Sequence, residues 1–198
     1  LHFDYLFIRQ PSSSAAHDCR YVLVLMDDHS GFVQLSPSSQ ATTDQVVASI
    51  LRWGGAFGFP RIWVSDQGTH FKNTVISQLS DRLRVQHHFT MARMHFPNGT
   101  VERACQITQE VLRLLVNDMQ IDENCWPSVL PLVEIVINHT PRRTLANYEP
   151  ITVFTHLQPE SPLDSVLALF IPAGSAPVPP DLIHQSISDL QAPTTGNA

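Results

Sequence analysis

Apolar and polar residues follow two periods along the chain, and together they predict a mixed α/β fold. Residues 1–8 alternate, with Leu1, Phe3, Tyr5 and Phe7 on one face, which is typical of a half-buried strand. Residues 21–26 are continuously apolar, as in a strand buried on both faces. Residues 98–118 repeat apolar positions every three or four residues, which predicts an amphipathic helix.

The same patterns, with proline and glycine as breakers, extend these predictions to most of the chain. Strands are predicted at residues 1–8, 21–26, 32–35, 61–65 and 85–89, and helices at residues 41–57, 73–84, 98–118, 122–138 and 151–157. Three strands, then alternating helices and strands, predict an α/β fold in which a five-stranded mixed sheet is flanked by helices. Seven of the 15 prolines lie in residues 158–198, so we predict a core domain at residues 1–157 and a Pro-rich, acidic, poorly ordered tail at residues 158–198.

Charge and cysteine content narrow the class of protein. The net charge is −6, but the tail carries four acidic residues and no Lys or Arg, so residues 1–157 carry 14 acidic and 12 basic residues, a net charge of −2. The three cysteines lack paired spacing, which favours reduced thiols in an intracellular protein over disulfides or a zinc site. No apolar run reaches 18 residues, so we expect no membrane span. The first residue is Leu1 and not Met, which suggests a fragment of a longer chain.

Three carboxylates occupy positions where chemistry is often found. Asp4 lies in the middle of the first strand, Asp66 ends the fourth strand, and Glu102 lies in the first turns of the long helix. Each has an ordinary explanation when taken alone: a solvent-facing residue on an edge strand, a turn-forming residue before glycine, and an acid favoured by the helix dipole. Glu102 shares one helix face with further polar residues, namely Gln106, Gln109 and Arg113.

Spacing and surrounding residues turn these weak signals into a family resemblance. Thirty-five residues separate Asp66 from Glu102. The three acids stand within His2-Phe3-Asp4-Tyr5, Val64-Ser65-Asp66-Gln67-Gly68-Thr69-His70-Phe71 and Asn98-Gly99-Thr100-Val101-Glu102-Arg103. In these segments, and in others up to residue 157, the chain resembles the catalytic core of retroviral and gypsy-type LTR retrotransposon integrases, which are cut from polyproteins.

The resemblance implies a fold, a chemistry and partners. It implies an RNase H-like fold in which Asp4, Asp66 and Glu102 are catalytic and bind Mg²⁺ or Mn²⁺, with two ions expected. The implied activity is that of a polynucleotidyl transferase, which performs DNA 3′-end processing and strand transfer. The implied partners are the DNA ends of the element, target DNA and further copies of the chain in a homodimer or higher oligomer. The implied location is the nucleus.

Candidate DNA contacts lie around this triad. The resemblance and the helix face together suggest His70, Asn98, Arg103, Gln106, Gln109 and Arg113. Relatives usually carry Tyr, Pro, Trp and Ala in the loop before Asn98, whereas this chain has different residues at 93–97.

Two alternatives to an integrase remain. The altered loop and the lack of a basic helix face favour a catalytically decayed module that serves as a DNA-associated or self-associating scaffold. An RNase H-like nuclease acting on RNA–DNA hybrids is the other alternative, and the 35-residue spacing counts against it. Metal-dependent strand joining would separate an integrase from both alternatives.

Overall fold

A computed structural model of the chain describes residues 1–8, 19–90 and 99–157, with one five-stranded sheet at its centre. The strands are β1 (His2–Phe7), β2 (Tyr21–Met26), β3 (Val33–Ser38), β4 (Ile62–Ser65) and β5 (Gln86–Phe89). The helices are α1 (Thr43–Phe57), α2 (Thr74–Leu83), α3 (Gly99–Asp118), α4 (Leu130–His139) and α5 (Pro150–Thr155), with 3₁₀ helices at Glu123–Val129 and Arg143–Leu145. The predicted fold class is confirmed, whereas the predicted tail at residues 158–198 lies outside the described residues.

The strand order places β1 in the centre of a mixed sheet. The order is β3-β2-β1-β4-β5. β1 pairs antiparallel with β2 along its whole length and parallel with β4, where His2 is opposite Val64. Asp4 therefore lies on a central strand, so the reading of Asp4 as an edge-strand residue is wrong.

Helices cover both faces of the sheet, each over its own apolar cluster. α3 and α4 pack over Val22, Val24 and Leu35 of one face, with Val101, Ala104, Leu112 and Val133 among their buried residues. On the other face, Phe3, Leu23 and Trp63 lie against buried residues of α1 and α2, which include Val46, Ile50, Trp53 and Ile76. Phe154 of α5 stacks on Phe32 at 4.5 Å. The alternation predicted for β1 is confirmed by this division, because Leu1, Phe3 and Tyr5 belong to one cluster.

The outer edge of β3 is closed by side chains of the helices. Asn138 of α4 accepts from the Val33 N–H and donates to the Val33 carbonyl, both at 2.8 Å. Glu134 Oε2 accepts from the Leu35 N–H at 2.8 Å, and Arg52 of α1 donates to the Leu35 carbonyl at 3.3 Å. The next residue in this phase is Pro37, which has no N–H. These contacts leave no ready template for another strand along this edge.

Two predicted elements differ from the structure. The helix predicted at residues 122–138 is a 3₁₀ helix containing Pro127 followed by α4 with Pro131 in its first turn. Both prolines lack the N–H that a continuous helix would use, so the helix starts again after Pro127. β3 runs on to Ser38 and does not end at Leu35, because Pro37 occupies the outward-facing edge, where no donor is needed.

No helix within residues 1–8, 19–90 and 99–157 combines the length and apolarity needed to cross a membrane.

Candidate active site

Asp4 points toward α3, on the face of the sheet opposite the apolar cluster that lies beneath α1 and α2. Its neighbours Phe3 and Tyr5 face the cluster beneath α1 and α2, so alternation directs Asp4 to the other face. Leu6, two residues further on, packs against the cluster beneath α3 and α4. One oxygen of the half-buried carboxylate, Oδ1, accepts from the Tyr5 N–H at 2.7 Å.

Asp66 lies beside Asp4 where β1 and β4 diverge. The parallel register pairs His2 with Val64, and two residues beyond this pair are Asp4, within β1, and Asp66, directly after the end of β4. Asp66 Oδ1 accepts from the Gly68 N–H at 2.8 Å, which holds the carboxylate at the start of the following turn. The Ser65 hydroxyl donates to the Asp66 carbonyl at 3.0 Å and lies 2.9 Å from Nε2 of His87. The end of a parallel strand, a common position for active sites, thus presents Asp66 next to Asp4.

Glu102 reaches the same region from the first turn of α3. The helix buries the predicted stripe, which includes Val101, Ala104 and Thr108, and leaves Glu102 exposed. The predicted apolar face of α3 is confirmed, and it sets the rotation of the helix. Glu102 consequently lies at the rim of the sheet, open to solvent and to substrate.

The electrostatics tie the three carboxylates together. The pKa of Asp4 is raised to about 6, mainly by burial; the Tyr5 hydrogen bond opposes the rise, and the negative charges of Asp66 and Glu102 make smaller contributions to it. An acid with two charged acids close by is most stable when a proton or a cation joins the group. The three residues selected from the sequence are therefore brought into one electrostatic group.

Two residues that the sequence did not single out line this group. Burial raises the pKa of the Cys105 thiol to about 12, and Asp4 and Glu102 add to the rise, so Cys105 stays a neutral thiol beside the acids. Burial also raises the pKa of Tyr5 to about 12, and its hydroxyl donates to the Thr42 carbonyl at 2.9 Å. Tyr5 directly follows Asp4, which was the available signal. The position of Cys105 depends on how α3 packs.

His70 closes the side of the site next to Asp66. Its ring lies 5.0 Å from the Tyr5 ring and 4.1 Å from the Phe71 ring, both edge to face. Burial lowers the pKa of His70, and the Asp66 charge opposes this change. A Cβ on Gly68 would come within 2.8 Å of the His70 ring and 2.9 Å of Asp66 Oδ1, so a side chain at this position would displace one of these two groups. His70 is the candidate DNA contact nearest to Asp66 in the described site.

Comparison with known proteins gives relatives of one kind. No family model matches the chain. It is 30% identical over 152 residues to the Pol polyprotein of feline endogenous virus ECE1, a match that covers 73% of this chain. It is 26% identical over 163 residues to the Pro-Pol polyprotein of simian foamy virus type 1, covering 78% of this chain. The chain spans only 14% of the length of each polyprotein.

Solved structures identify the fold. The catalytic core domain of BIV integrase superposes with a TM-score of 0.62 at 19% identity, covering 86% of this chain and 97% of that one. The HTLV-2 integrase catalytic core domain in complex with magnesium, in its trimeric form, gives 0.61 at 15% identity over 77% and 93% of the two chains. Its dimeric form gives 0.60. This chain has the fold of a retroviral integrase catalytic core. Together with the Pol relatives, this confirms the recognition made from the sequence.

The remaining candidate DNA contacts of this chain lie along α3. Arg103, Gln106 and Arg113 are exposed and Gln109 is half-buried, so the polar face predicted for this helix is open to solvent. Arg103 donates to Gln106 Oε1 at 3.3 Å across the helix surface. Asn98 lies outside the described residues, as does most of the loop that precedes it. No bound DNA tests any of these contacts, which stay predictions.

This chain does not hold its three acids in a finished metal site. Within residues 1–8, 19–90 and 99–157, no three His, Cys, Asp or Glu side chains are close enough together to hold an ion. The charges of Asp4, Asp66 and Glu102 nevertheless act on one another. Carboxylate oxygens are the ligands that Mg²⁺ and Mn²⁺ prefer, so the donor set fits in chemistry, while the three carboxylates would have to draw closer together.

Proposed function

We propose that the chain is the catalytic core of an integrase, a polynucleotidyl transferase that carries out metal-dependent DNA 3′-end processing and strand transfer. The observation that carries the proposal is the placement of Asp4 and Asp66, each two residues beyond the parallel pair of His2 and Val64, where burial and, to a smaller extent, the charges of Asp66 and Glu102 raise the pKa of Asp4. A structural protein gains nothing from a half-buried carboxylate on a central strand beside two others. An enzyme that binds a cation there does.

The proposed metal ligands are Asp4, Asp66 and Glu102. With one or two Mg²⁺ or Mn²⁺ ions bound, the site would supply Lewis-acid stabilisation to the attacking and leaving oxygens of a phosphodiester. The solved HTLV-2 core is a complex with magnesium, which supports the choice of ion.

The chain's own residues would position the reaction. The Tyr5 N–H donates to one oxygen of Asp4, and the Gly68 N–H donates to one oxygen of Asp66. These bonds fix the two carboxylates and leave the second oxygen of each for metal ligation. Glu102, being exposed, would close on them from the rim. His70 and the polar face of α3 would contact the DNA backbone, with Arg103 and Arg113 supplying positive charge. Water or a DNA 3′-hydroxyl would serve as nucleophile, and no covalent enzyme intermediate is required.

The proposed partners are DNA and further copies of the chain. Related solved cores exist in dimeric and trimeric forms, and a simian T-cell lymphotropic virus intasome aligns with a TM-score of 0.65 at 18% identity over 81% of this chain and 56% of that one. A homodimer or higher oligomer acting on element ends and target DNA is therefore the proposed assembly. Activity on chromosomal DNA would place it in the nucleus.

A decayed core that acts as a scaffold is the second candidate. It is favoured by the absence, among the described residues, of three potential ligands already assembled for an ion. In that case, the acids would be a remnant of the ancestral site and no divalent ion would bind them tightly.

The deciding experiment is a metal titration followed by a disintegration assay. Calorimetry with Mn²⁺ would be carried out on the chain, on Asp66→Asn and on the control Asp118→Asn. Asp118 is exposed and lies about 24 Å along α3 from Glu102, at 1.5 Å per residue. Resealing of a branched DNA substrate would then be measured for the same three proteins.

The integrase proposal expects ion binding and resealing in the chain and in Asp118→Asn, and loss of both in Asp66→Asn. Ion binding without resealing would leave a metal site that has lost its chemistry. Absence of carboxylate-dependent ion binding would favour the scaffold. Cleavage of RNA–DNA hybrids without strand joining would favour the nuclease alternative.

A further inference from the structure

The two edges of the sheet differ: helix side chains close the edge at β3, whereas no other strand of residues 1–8, 19–90 and 99–157 pairs with the outer side of β5, which lies beside a groove. The edge at β3 is closed by Asn138, Glu134 and Arg52, as described above. At β5, the N–H of Gln86 donates to the Arg61 carbonyl and the N–H of Thr90 donates to the Ser65 carbonyl, both at 2.9 Å. Because a strand alternates its hydrogen bonds, the main-chain groups of His87 and Phe89 point outward.

The groove runs between the outer side of β5 and the polar side of α2. It encloses about 720 Å³ and is lined by both elements, with Ser77 and Asp81 on the helix and Gln86 and Phe89 on the strand. Phe89 is 37% exposed, so its ring forms an apolar surface next to the outward-pointing main-chain groups of β5. An edge strand flanked by a helix with a groove between them is the geometry in which extended peptides add to a sheet.

The two ends of the groove carry opposite charges. At the Phe89 end, the amino group of Lys72 lies 5.5 Å from the ring centroid, and the N-terminus of α2 adds positive potential. At the Gln86 end, exposed Asp81 lies in the last turns of α2. Lys72 is the only lysine of the chain and, among the described residues that line the groove, the only one with a permanent positive charge. One cation facing one acid does not suit a polyanion such as DNA, and it suits a segment that carries both signs.

The length of the groove sets the spacing of those charges. Thr74 and Asp81 are seven residues apart on α2, which is about 11 Å at 1.5 Å per residue. An extended peptide covers that length in about three to four residues at 3.3 Å per residue. A matching ligand would therefore have an acidic and a basic side chain separated by about four positions.

We propose that the groove between α2 and β5 binds an extended polypeptide segment, which adds as a strand to β5 with an acidic side chain at Lys72 and a basic side chain at Asp81. This surface is separate from the three carboxylates and does not depend on the proposed catalysis. The bound segment would take its hydrogen bonds from the main chain of His87 and Phe89 and its orientation from the two charges.

The test uses the full 198-residue chain and two amidated octapeptides of alternating Val and Thr. One peptide carries Glu four positions before Arg, and the other carries Arg four positions before Glu. Because Lys72 is the only lysine, reductive ¹³C-methylation gives a single side-chain NMR signal that reports on the Lys72 end. The variants are Phe89→Pro, which removes an outward N–H, its control Phe89→Ala, and the exposed charge swap Lys72→Glu with Asp81→Lys.

The proposal expects one charge order to bind at least tenfold more tightly than the other and to shift the Lys72 signal. Phe89→Pro should weaken binding at least tenfold relative to Phe89→Ala, because only the former loses the main-chain donor. The double charge swap should reverse the preferred order. The charge swap lies on the surface, so it keeps the test decisive if Phe89→Pro fails to fold.

Three results would overturn the proposal. The first would be that neither peptide binds, or that both bind equally well and the charge swap has no effect. The second would be dimerisation of the chain that increases with concentration and is abolished by Phe89→Pro, because a second copy would then be the occupant. The third would be binding of a single-stranded oligonucleotide that is lost in Lys72→Glu, together with no binding of the peptides. The groove would then be a nucleic-acid surface.

Discussion

Replacing Asp4 by asparagine should stabilise the metal-free protein. Asparagine keeps the size of the side chain and can still accept the Tyr5 N–H, which lies 2.7 Å from Oδ1. It removes a charge that the fold places in a half-buried position next to Asp66 and Glu102. The wild-type residue is thus held at a cost in folding free energy, and the substitution relieves that cost.

The magnitude follows from the pKa of Asp4, which rises from an ordinary 3.8 to about 6. A shift of this size corresponds to about 3 kcal/mol at neutral pH, at 1.36 kcal/mol per unit. Remaining solvent contact screens the charge, so we expect Asp4→Asn to gain about 1–3 kcal/mol. For a chain of this length, that gain raises the melting temperature by about 2–10 °C.

The gain should depend on pH in one direction. Because the folded-state pKa of Asp4 is raised, the folded protein binds its proton more tightly than the unfolded chain does. Below about pH 4, Asp4 is protonated in both states and the advantage of the variant vanishes. The advantage should grow as the pH rises from about 4 to about 6 and then stay constant.

Thermal unfolding followed by circular dichroism in EDTA, at one-unit steps from pH 4 to pH 8, measures this difference. Asp118→Asn serves as the control and should show no step between pH 4 and pH 6. Added Mn²⁺ should then stabilise the wild type more than Asp4→Asn, by an amount that increases with ion concentration. A variant that is less stable than the wild type at pH 7, or equally more stable at every pH, would refute the reasoning.

Three further predictions concern residues around the site and the sheet. Gly68→Ala should lower DNA resealing roughly 10–100-fold with little change in melting temperature, because its Cβ displaces the His70 ring or Asp66. The control Gly55→Ala, whose Cβ meets nothing within 4 Å, should leave resealing unchanged. Ellman's reagent at pH 8 should react quickly with half-buried Cys125 and slowly with buried Cys19 and Cys105, and a fast reaction at Cys105 would contradict the packing of α3 on the acids. Asn138→Asp should cost about 2–3 kcal/mol in a denaturant titration, because it places an oxygen against the Val33 carbonyl, whereas exposed Asn117→Asp should cost little.

Much of the fold was predictable because local patterns and packing agree along most of the chain. The continuous apolar run of β2 and the helical repeat of α3 each match an element that is buried as the pattern requires. The predictions failed where tertiary position overrides a local rule. β3 was predicted to end at Leu35 and instead continues to Ser38, because Pro37 lies at an outer-edge position where no N–H is needed. One helix was predicted across residues 122–138, whereas the segment that contains Pro127 is a 3₁₀ helix and α4 begins only after it.

The candidate site was predictable to a different degree. The acids could be selected from their spacing and from the residues around them, but no pattern in the sequence shows that Asp4 and Asp66 are level across two parallel strands. That relation follows from the pairing of His2 with Val64, which joins residues far apart in the sequence. Cys105 was not predicted to line the site for the same reason, since the pKa of its thiol reflects burial under the folded chain first and the charges of Asp4 and Glu102 second.

Two polar side chains, Asn138 of α4 against the edge strand β3 and Asp4 on the central strand β1, show how structural and functional burial differ. The Asn138 amide is buried and satisfied, with one bond to the Val33 N–H and one to its carbonyl, so it stabilises the fold it belongs to. The Asp4 carboxylate receives one backbone hydrogen bond, and its neighbours Asp66 and Glu102 oppose its charge. A fold selected for stability alone would favour a neutral residue there, and the same exchange between acid and amide should act in opposite directions at the two positions. At Asp4, removing the negative charge stabilises the fold, and a bound cation would offset the same charge. We therefore expect chemistry at Asp4 and not at the sheet edge where Asn138 lies.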